Sequence, residues 1–244
     1  MKKVALITGV SSGIGKYICE MFVKKNIQVF GIDIEDNYNS NICFYKSDVS
    51  NEKEIQKVLN DISNKVDHID YVINVAGIFC YKERNYIENL SFDEWKKVID
   101  INLSGAFLIS KYSIPLLKKS NNGNIILFST EQVLSPQKKS APYAVSKTGV
   151  EMLSKILAVE LLEDKIRVNT ISLASVKTNF IRKYKNDDKV FNKIMIDTNK
   201  KMPFGIIKTE DVYKLVNYLI DKSNKMTGQV LLIDSGVLTK NLIN

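Results

Sequence analysis

The sequence predicts an α/β fold: a Rossmann-like, doubly wound, mostly parallel sheet of about seven strands with helices on both faces. Three observations predict it. Short, almost wholly apolar runs alternate with helical stretches along the chain, the pattern of strands buried on both faces. The first run, Val4-Ala5-Leu6-Ile7, passes through a glycine-rich turn directly into a helical stretch. The chain of 244 residues, 45% hydrophobic and 25% charged, suits one domain over residues 1–244. There is no internal repeat, low-complexity tract or linker.

The elements follow in order. After the first strand a helix is expected from about Ile14 to Lys25. A second strand, Ile27 to Ile32, ends at Asp33. A third is Ile42 to Tyr45, and a helix follows Asp48-Val49-Ser50 with Ser50 as its N-cap. Tyr71-Val72-Ile73 is the fourth strand. A long helical region runs from about Ser91 to Lys119, then a fifth strand from Asn124 to Phe128. A helix over about Tyr143 to Glu163 leads to a sixth strand, Arg167 to Ile171. A lysine-rich irregular segment follows, then a helix from about Thr209 to Asp221 and a last strand, Gln229 to Ile233. In such sheets ligands bind beyond the carboxyl ends of the strands, so the strand-to-helix loops are where chemistry is sought.

Composition excludes several classes. Three widely spaced cysteines, Cys19, Cys43 and Cys80, form no metal pattern and favour a reducing compartment. The single histidine, His68, excludes a multi-histidine metal site and is expected on a surface turn. No apolar run approaches the ~20 residues of a membrane helix. The chain starts straight into a strand, leaving no room for a signal peptide, so a cytoplasmic protein is expected. The net charge of +8 comes almost entirely from lysine, with only Arg84, Arg167 and Arg182 as arginines. Lysine lacks the bidentate fork suited to bases and phosphates. We therefore expect a lysine-decorated surface, with neither nucleic acid nor membrane as a partner. The charge is uneven: Lys177 to Lys208 holds nine basic and three acidic residues.

Thr8-Gly9-Val10-Ser11-Ser12-Gly13-Ile14-Gly15 sits between a strand and a helix. Glycines permit a tight turn and let a pyrophosphate approach the backbone, and the helix start offers unpaired N–H groups and a positive dipole end. Gly9, Ser11, Ser12, Gly13, Ile14 and Gly15 are the candidate contacts. The spacing lacks the Gly-Lys-Ser/Thr ending of a nucleoside-triphosphate loop. Asp33, ending the second strand, can accept from both adenosine ribose hydroxyls and would repel a 2′-phosphate, which favours NAD over NADP. Tyr143 and Lys147 stand four apart at the start of a helix, on one face. A nearby ammonium lowers a phenol's pKa and makes it a usable acid or base. Thirteen residues before Tyr143 lies Thr130, just past the fifth strand.

With these motifs in this order the chain resembles the short-chain dehydrogenases/reductases, in their common branch of about this length. The markers are Thr8-Gly9-x-x-x-Gly13-Ile14-Gly15, Asp48-Val49, Asn74-Val75-Ala76-Gly77, Asn102, the Thr130 region and Tyr143-x-x-x-Lys147. The resemblance implies an NAD(H)-dependent oxidoreductase moving hydride between nicotinamide and a secondary alcohol or ketone. It implies that Tyr143 exchanges the substrate's proton and that Lys147 lowers the tyrosine pKa and holds the nicotinamide ribose. It gives Asn102 a place in a water-mediated proton relay and Thr130 the orienting of the substrate oxygen. Asp48 and Val49 would contact the adenine, Asn74, Ala76 and Gly77 would line the cofactor, and Val176 and Thr178 would sit at its carboxamide. Residues 178–204 correspond to the family's lid, with Phe180 and Gln132 as substrate contacts and Tyr81, Glu83, Arg84 and Val133 as further wall candidates. No metal is implied. A homotetramer or homodimer is.

The chain departs from the family pattern in places. Threonine stands where serine is usual, with Ser129 one residue out of register. Leu173-Ala174 replaces the usual Pro-Gly, which implies a reshaped loop or an altered nicotinamide pocket, since alanine tolerates positive φ less well than glycine. The connection from Asp33 to Asp48 is too short for a useful helix, which opens the adenine side. Two alternatives remain: a reductase of 3-oxoacyl groups on an acidic carrier protein, docked by the basic lid, or a dinucleotide-binding sensor or structural subunit with a weakened site.

Overall fold

The computed structural model describes residues 2–36, 39–80, 82, 84–178 and 188–241. Seven strands form one sheet: β1 (Val4–Thr8), β2 (Gln28–Asp33), β3 (Cys43–Lys46), β4 (Tyr71–Asn74), β5 (Asn124–Thr130), β6 (Arg167–Leu173) and β7 (Val230–Ile233). Their order is β3-β2-β1-β4-β5-β6-β7, and every pairing is parallel. The order reverses between β1 and β4, where register places Thr8 beside Asn74. A crevice opens at such a reversal, above the strands' carboxyl ends.

The helices are α1 (Gly13–Lys24), α2 (Glu52–Ser63), α3 (Phe92–Ile99), α4 (Gly105–Leu117), α5 (Ala141–Glu160), α6 (Asp188–Lys201), α7 (Thr209–Ile220) and α8 (Val237–Asn241). Strand alternation divides the apolar residues between two cores. Val4 and Leu6 face one built with Ile55, Val58, Ile109, Leu117 and Leu157 from α2, α4 and α5. Ala5 and Ile7 face the other, built with Ile18, Phe22, Val212 and Val216 from α1 and α7. Burying a side chain such as Leu6 contributes about 1.5–3 kcal/mol.

Three expectations need correction. Asn51, not Ser50, caps α2, its side chain accepting from the Glu54 amide; Ser50 is instead folded onto the Asp48 carboxylate. The lysine-rich segment is not irregular throughout, for α6 occupies its second half. Lysine is a good helix former, and its abundance hid the apolar face. The long helical region from Phe92 to Leu117 is interrupted by a π-helical turn over Asp100–Ser104, where the Gly105 amide bonds the Asp100 carbonyl five residues back. No helix among the described residues is long and apolar enough to cross a membrane.

Candidate active site

The turn after β1 is closed by backbone contacts. Gly9 has φ +74° and Gly13 φ +55°, left-handed values suited to glycine. A side chain on Gly15 would bring its Cβ within 2.1 Å of the Gly9 carbonyl oxygen, so only glycine lets α1 start this close to β1. Ser12, the N-cap, makes no side-chain capping bond, and no acid lies in the first turn. The helix therefore presents amides and a positive dipole end to an incoming anion. Ile14 packs beside the second core.

Asp33 organises the neighbouring rim. One carboxylate oxygen accepts the Ser11 amide at 2.9 Å and the other the Glu35 amide at 3.0 Å. Each retains a lone pair for a further donor. Lys46, the nearest basic candidate, pairs with Asp36 at 2.9 Å. On the far side of the β1–β4 crevice, the Thr8 hydroxyl donates to Asn74 Oδ1 at 2.7 Å and accepts the Ala76 amide at 3.0 Å. Asn74 Nδ2 is buried with no partner. Burial alone would raise the Asp48 carboxyl, but the Ser50 hydroxyl and amide and the Lys97 ammonium outweigh it and hold it below its ordinary value. Val49 packs on Gly105 at the start of α4. A glycine-closed helix start, an acid with free lone pairs and an unpaired buried amide fit a dinucleotide.

Past β5 the site is built from side chains. Asn102, in the π turn, accepts the Ile78 amide at 2.8 Å and donates to the Ile78 carbonyl at 2.9 Å and to Ser146 Oγ at 3.0 Å. It pins the segment after β4 to α5. Lys147, 6% exposed, donates to the Phe128 carbonyl at 2.9 Å, and burial pushes its pKa down to about 8. A Cβ at Gly77 would come within 3.0 Å of Asn102 Oδ1 and 3.4 Å of Lys147 Nζ, so the segment after β4 runs close against both side chains. Tyr143, in the first turn of α5, packs edge-to-face with the Phe79 ring, centroids 4.9 Å apart.

Ser129 and Thr130 face opposite sides of β5. Ser129 donates to Glu151 on α5 at 2.7 Å. The Thr130 hydroxyl donates to Glu131 at 2.7 Å, and a 3₁₀ turn, Glu131–Val133, begins at once. Gln132 is buried in that turn with Oε1 unpaired. Leu173 continues β6 as a regular strand residue opposite Thr130, and Ala174 is absent from the positive-φ residues and bonds the Ile233 carbonyl. Ala174 takes no positive φ, so the strain that alanine would meet there does not arise. Val176 bridges to Ile207, and Thr178 lies over Gly13. Phe180, Tyr81 and Glu83 lie outside the described residues. His68 is less exposed than expected, lying 3.2 Å from the buried Asp70 carboxylate.

Sequence reasoning missed Thr8, Ser146 and Phe79 as supports, and took Arg84 for a solvated or substrate-facing group. Arg84 instead donates to the Lys138 and Lys139 carbonyls and stacks over Phe79, 4.5 Å from the ring centroid. Thr8 and Ser146 lie inside the two motifs already singled out. Nothing local marks Phe79 or Arg84.

A family model described as enoyl-(acyl carrier protein) reductase matches residues 9–238. The 3-oxoacyl-(acyl-carrier-protein) reductase of Buchnera aphidicola subsp. Acyrthosiphon pisum is 32% identical, over 97% of each chain. The ligand-free aldohexose dehydrogenase of Thermoplasma acidophilum superposes with a TM-score of 0.90 at 28% identity, covering 98% of this chain and 94% of that one. The NADP-bound structure of ElxO gives 0.86 at 28% identity, covering 98% and 100%. The chain belongs to the short-chain dehydrogenases/reductases, a family of nicotinamide-dependent oxidoreductases.

Proposed function

We propose that this short-chain dehydrogenase/reductase moves hydride between NAD(H) and a secondary alcohol or ketone, with Tyr143 exchanging the proton of the substrate oxygen. One observation carries the reading: in the all-parallel sheet the glycine turn after β1 and Thr130 at the end of β5 lie at one edge, where Gly77 comes up against Asn102 and Lys147. The α1 amides with Ser11 and Ser12 would take the pyrophosphate, and Asp33 the adenosine ribose. Asp48 and Val49 would border the adenine, and Asn74, Ala76, Gly77, Val176 and Thr178 the nicotinamide side. When bound, the nicotinamide supplies the hydride acceptor or donor. Thr130 orients the substrate oxygen, Tyr143 takes or returns its proton, and the Lys147 ammonium stabilises the phenolate. Asn102 holds the segment that completes this relay.

The preference for NAD rests on Asp33. A 2′-phosphate would meet its negative charge, and the Lys46 ammonium is already drawn to Asp36. The lysines of residues 177–208, with Lys193, Lys200 and Lys201 exposed, support a second reading. A lid over 178–204 could dock an acidic carrier protein, as its 32%-identical relative's name suggests. A second copy of the chain is the partner suggested by α5, where Val145, Met152, Ile156 and Val159 form an exposed apolar stripe along one face. Three cysteines that form no disulfide suit the cytoplasm.

The test is NADH formation across secondary alcohols, polyols, hydroxy acids and dihydrodiols, with ketones in reverse, using wild type and Tyr143→Phe and both cofactors. Turnover with NAD should fall about 10²–10⁴-fold in the variant, with cofactor binding kept. Undiminished turnover in Tyr143→Phe would remove its assigned role, and turnover with NADP alone would sink the Asp33 reading. Salt-sensitive turnover of acyl-carrier substrates alone would favour the second reading.

A further inference from the structure

Glu131 is a carboxyl group that the mechanism above leaves unused. It is 8% exposed, and its Oε2 lies 2.7 Å from Thr130 Oγ1. Neighbouring residues on a strand point to opposite faces; here Thr130 ends β5 in extended conformation and the 3₁₀ turn folds Glu131 back against it. An ionised carboxylate can only accept hydrogen bonds. While Glu131 is ionised, the Thr130 hydrogen must therefore point at Glu131. The Gln132 amide approaches one Thr130 lone pair at 3.4 Å. What remains for the substrate is one lone pair, which suits an alcohol that donates and not a ketone that needs a donor.

Protonation reverses this. A neutral Glu131 can donate its own O–H to Thr130 Oγ1, and the Thr130 hydrogen is released toward a carbonyl oxygen. We propose that Glu131 is a positioning residue that sets the direction of the Thr130 hydroxyl and thereby whether the site favours the alcohol or the ketone form of its substrate. This rests on Thr130 meeting the substrate oxygen, as in the proposed function. Burial, with the negative Asp234 at the end of β7, raises the Glu131 carboxyl against the opposing bonds from Thr130 and its own backbone. From α5, which packs on this turn, the charged groups are turned elsewhere: Lys147 to the Phe128 carbonyl and Glu151 to Ser129. Tyr143 is the remaining titratable group of α5 at the site. Below the Glu131 pKa the ketone form is favoured, above it the alcohol form.

The experiment measures affinity for both members of one alcohol–ketone pair from acid to alkaline pH, in wild type, Glu131→Gln, Thr130→Ser and Thr130→Val. The pair is the best one from the panel above, or cyclohexanol and cyclohexanone as binding probes with the matching cofactor form. In wild type the ratio of alcohol to ketone affinity should rise about tenfold with pH, the worth of one hydrogen bond between neutral groups. Glu131→Gln, whose amide can always donate to Thr130, should lose the part of that rise that Glu131 titrates and keep only the part that Tyr143 titrates. Thr130→Ser should keep the wild-type profile and Thr130→Val should show the reduced profile of Glu131→Gln. A Glu131→Gln profile that follows wild type overturns the proposal. If that variant does not fold, a Thr130→Val ratio that rises with pH as fully as in wild type overturns it instead. Failure of the underlying reading looks different, for then Tyr143→Phe keeps full turnover.

Discussion

The two halves of the crevice are built by different means. Around β1 and β4 the geometry is written in the backbone: two glycines at positive φ, a third with no room for a Cβ, and amides gathered by Thr8 and Asp33. Past β5 it is written in buried side chains, with Lys147, Asn102, Thr130, Glu131 and Gln132 all largely removed from water. A backbone cradle offers every dinucleotide the same amides and costs little once folded. A buried polar cluster must satisfy each group, and here Gln132 Oε1 is left without a partner. The first half is built for a common ligand, the second for a particular reaction.

The contrast is broken most severely at Gly15. Alanine there would place a methyl 2.1 Å from the Gly9 carbonyl oxygen, a clash with backbone that no side-chain rotation relieves. Gly15→Ala should lose cofactor binding, as read by calorimetric titration, and cost roughly 3 kcal/mol or more in denaturant unfolding. If it folds and binds like wild type, the cradle is not backbone-limited.

Lys147 should behave in the opposite way. Burial holds its ammonium at about 8 against an ordinary 10.5, a penalty of about 3 kcal/mol. The unfolded chain binds the extra proton between these values, so this residue makes stability rise as pH climbs from about 8 to 10.5. Lys147→Met should abolish turnover yet stabilise the cofactor-free protein at neutral pH by up to about 2 kcal/mol, after loss of the Phe128 bond. It should also flatten that alkaline rise in thermal melts. A destabilised, pH-sensitive variant would show that the ammonium is a structural tie.

The smallest effect is expected at Ser146, whose Oγ receives the Asn102 amide. Ser146→Ala should cost about 1 kcal/mol of stability and lower kcat more than it changes KM for the cofactor. An equal change in both would place Asn102 in the first half of the comparison.

The same division explains what the sequence reveals. Strand order and the glycine turn are legible because apolar alternation and positive φ are local requirements, and Gly9, Gly13 and Gly15 have few other reasons to be spaced so. Counting thirteen residues back from Tyr143 finds Thr130 and sets Ser129 on the opposite face. What that count cannot show is Glu131 returning to Thr130, since only the 3₁₀ turn after β5 reverses the alternation. Arg84 meets the Lys138 and Lys139 carbonyls more than fifty residues away, a contact that no window of sequence contains. Leu173-Ala174 misled for a related reason: two side chains unusual for their motif raise no strain once β6 simply runs on.

The π turn between α3 and α4 makes the chain sensitive to length as well as to identity. Asp100–Ser104 holds one residue more than a regular helical ladder would use. Deleting one of these residues would let an unbroken α-helix form, at no loss of local hydrogen bonding. The helix beyond would keep its phase, with Leu108 and Ile109 still in the core they now fill, while Asn102 would lose the bulge that sets it between Ile78 and Ser146. A loop at the surface absorbs such an insertion or deletion without notice. The extra residue of this turn sets one side chain without moving either helix, so its loss should spare the fold and cost the Asn102 contacts.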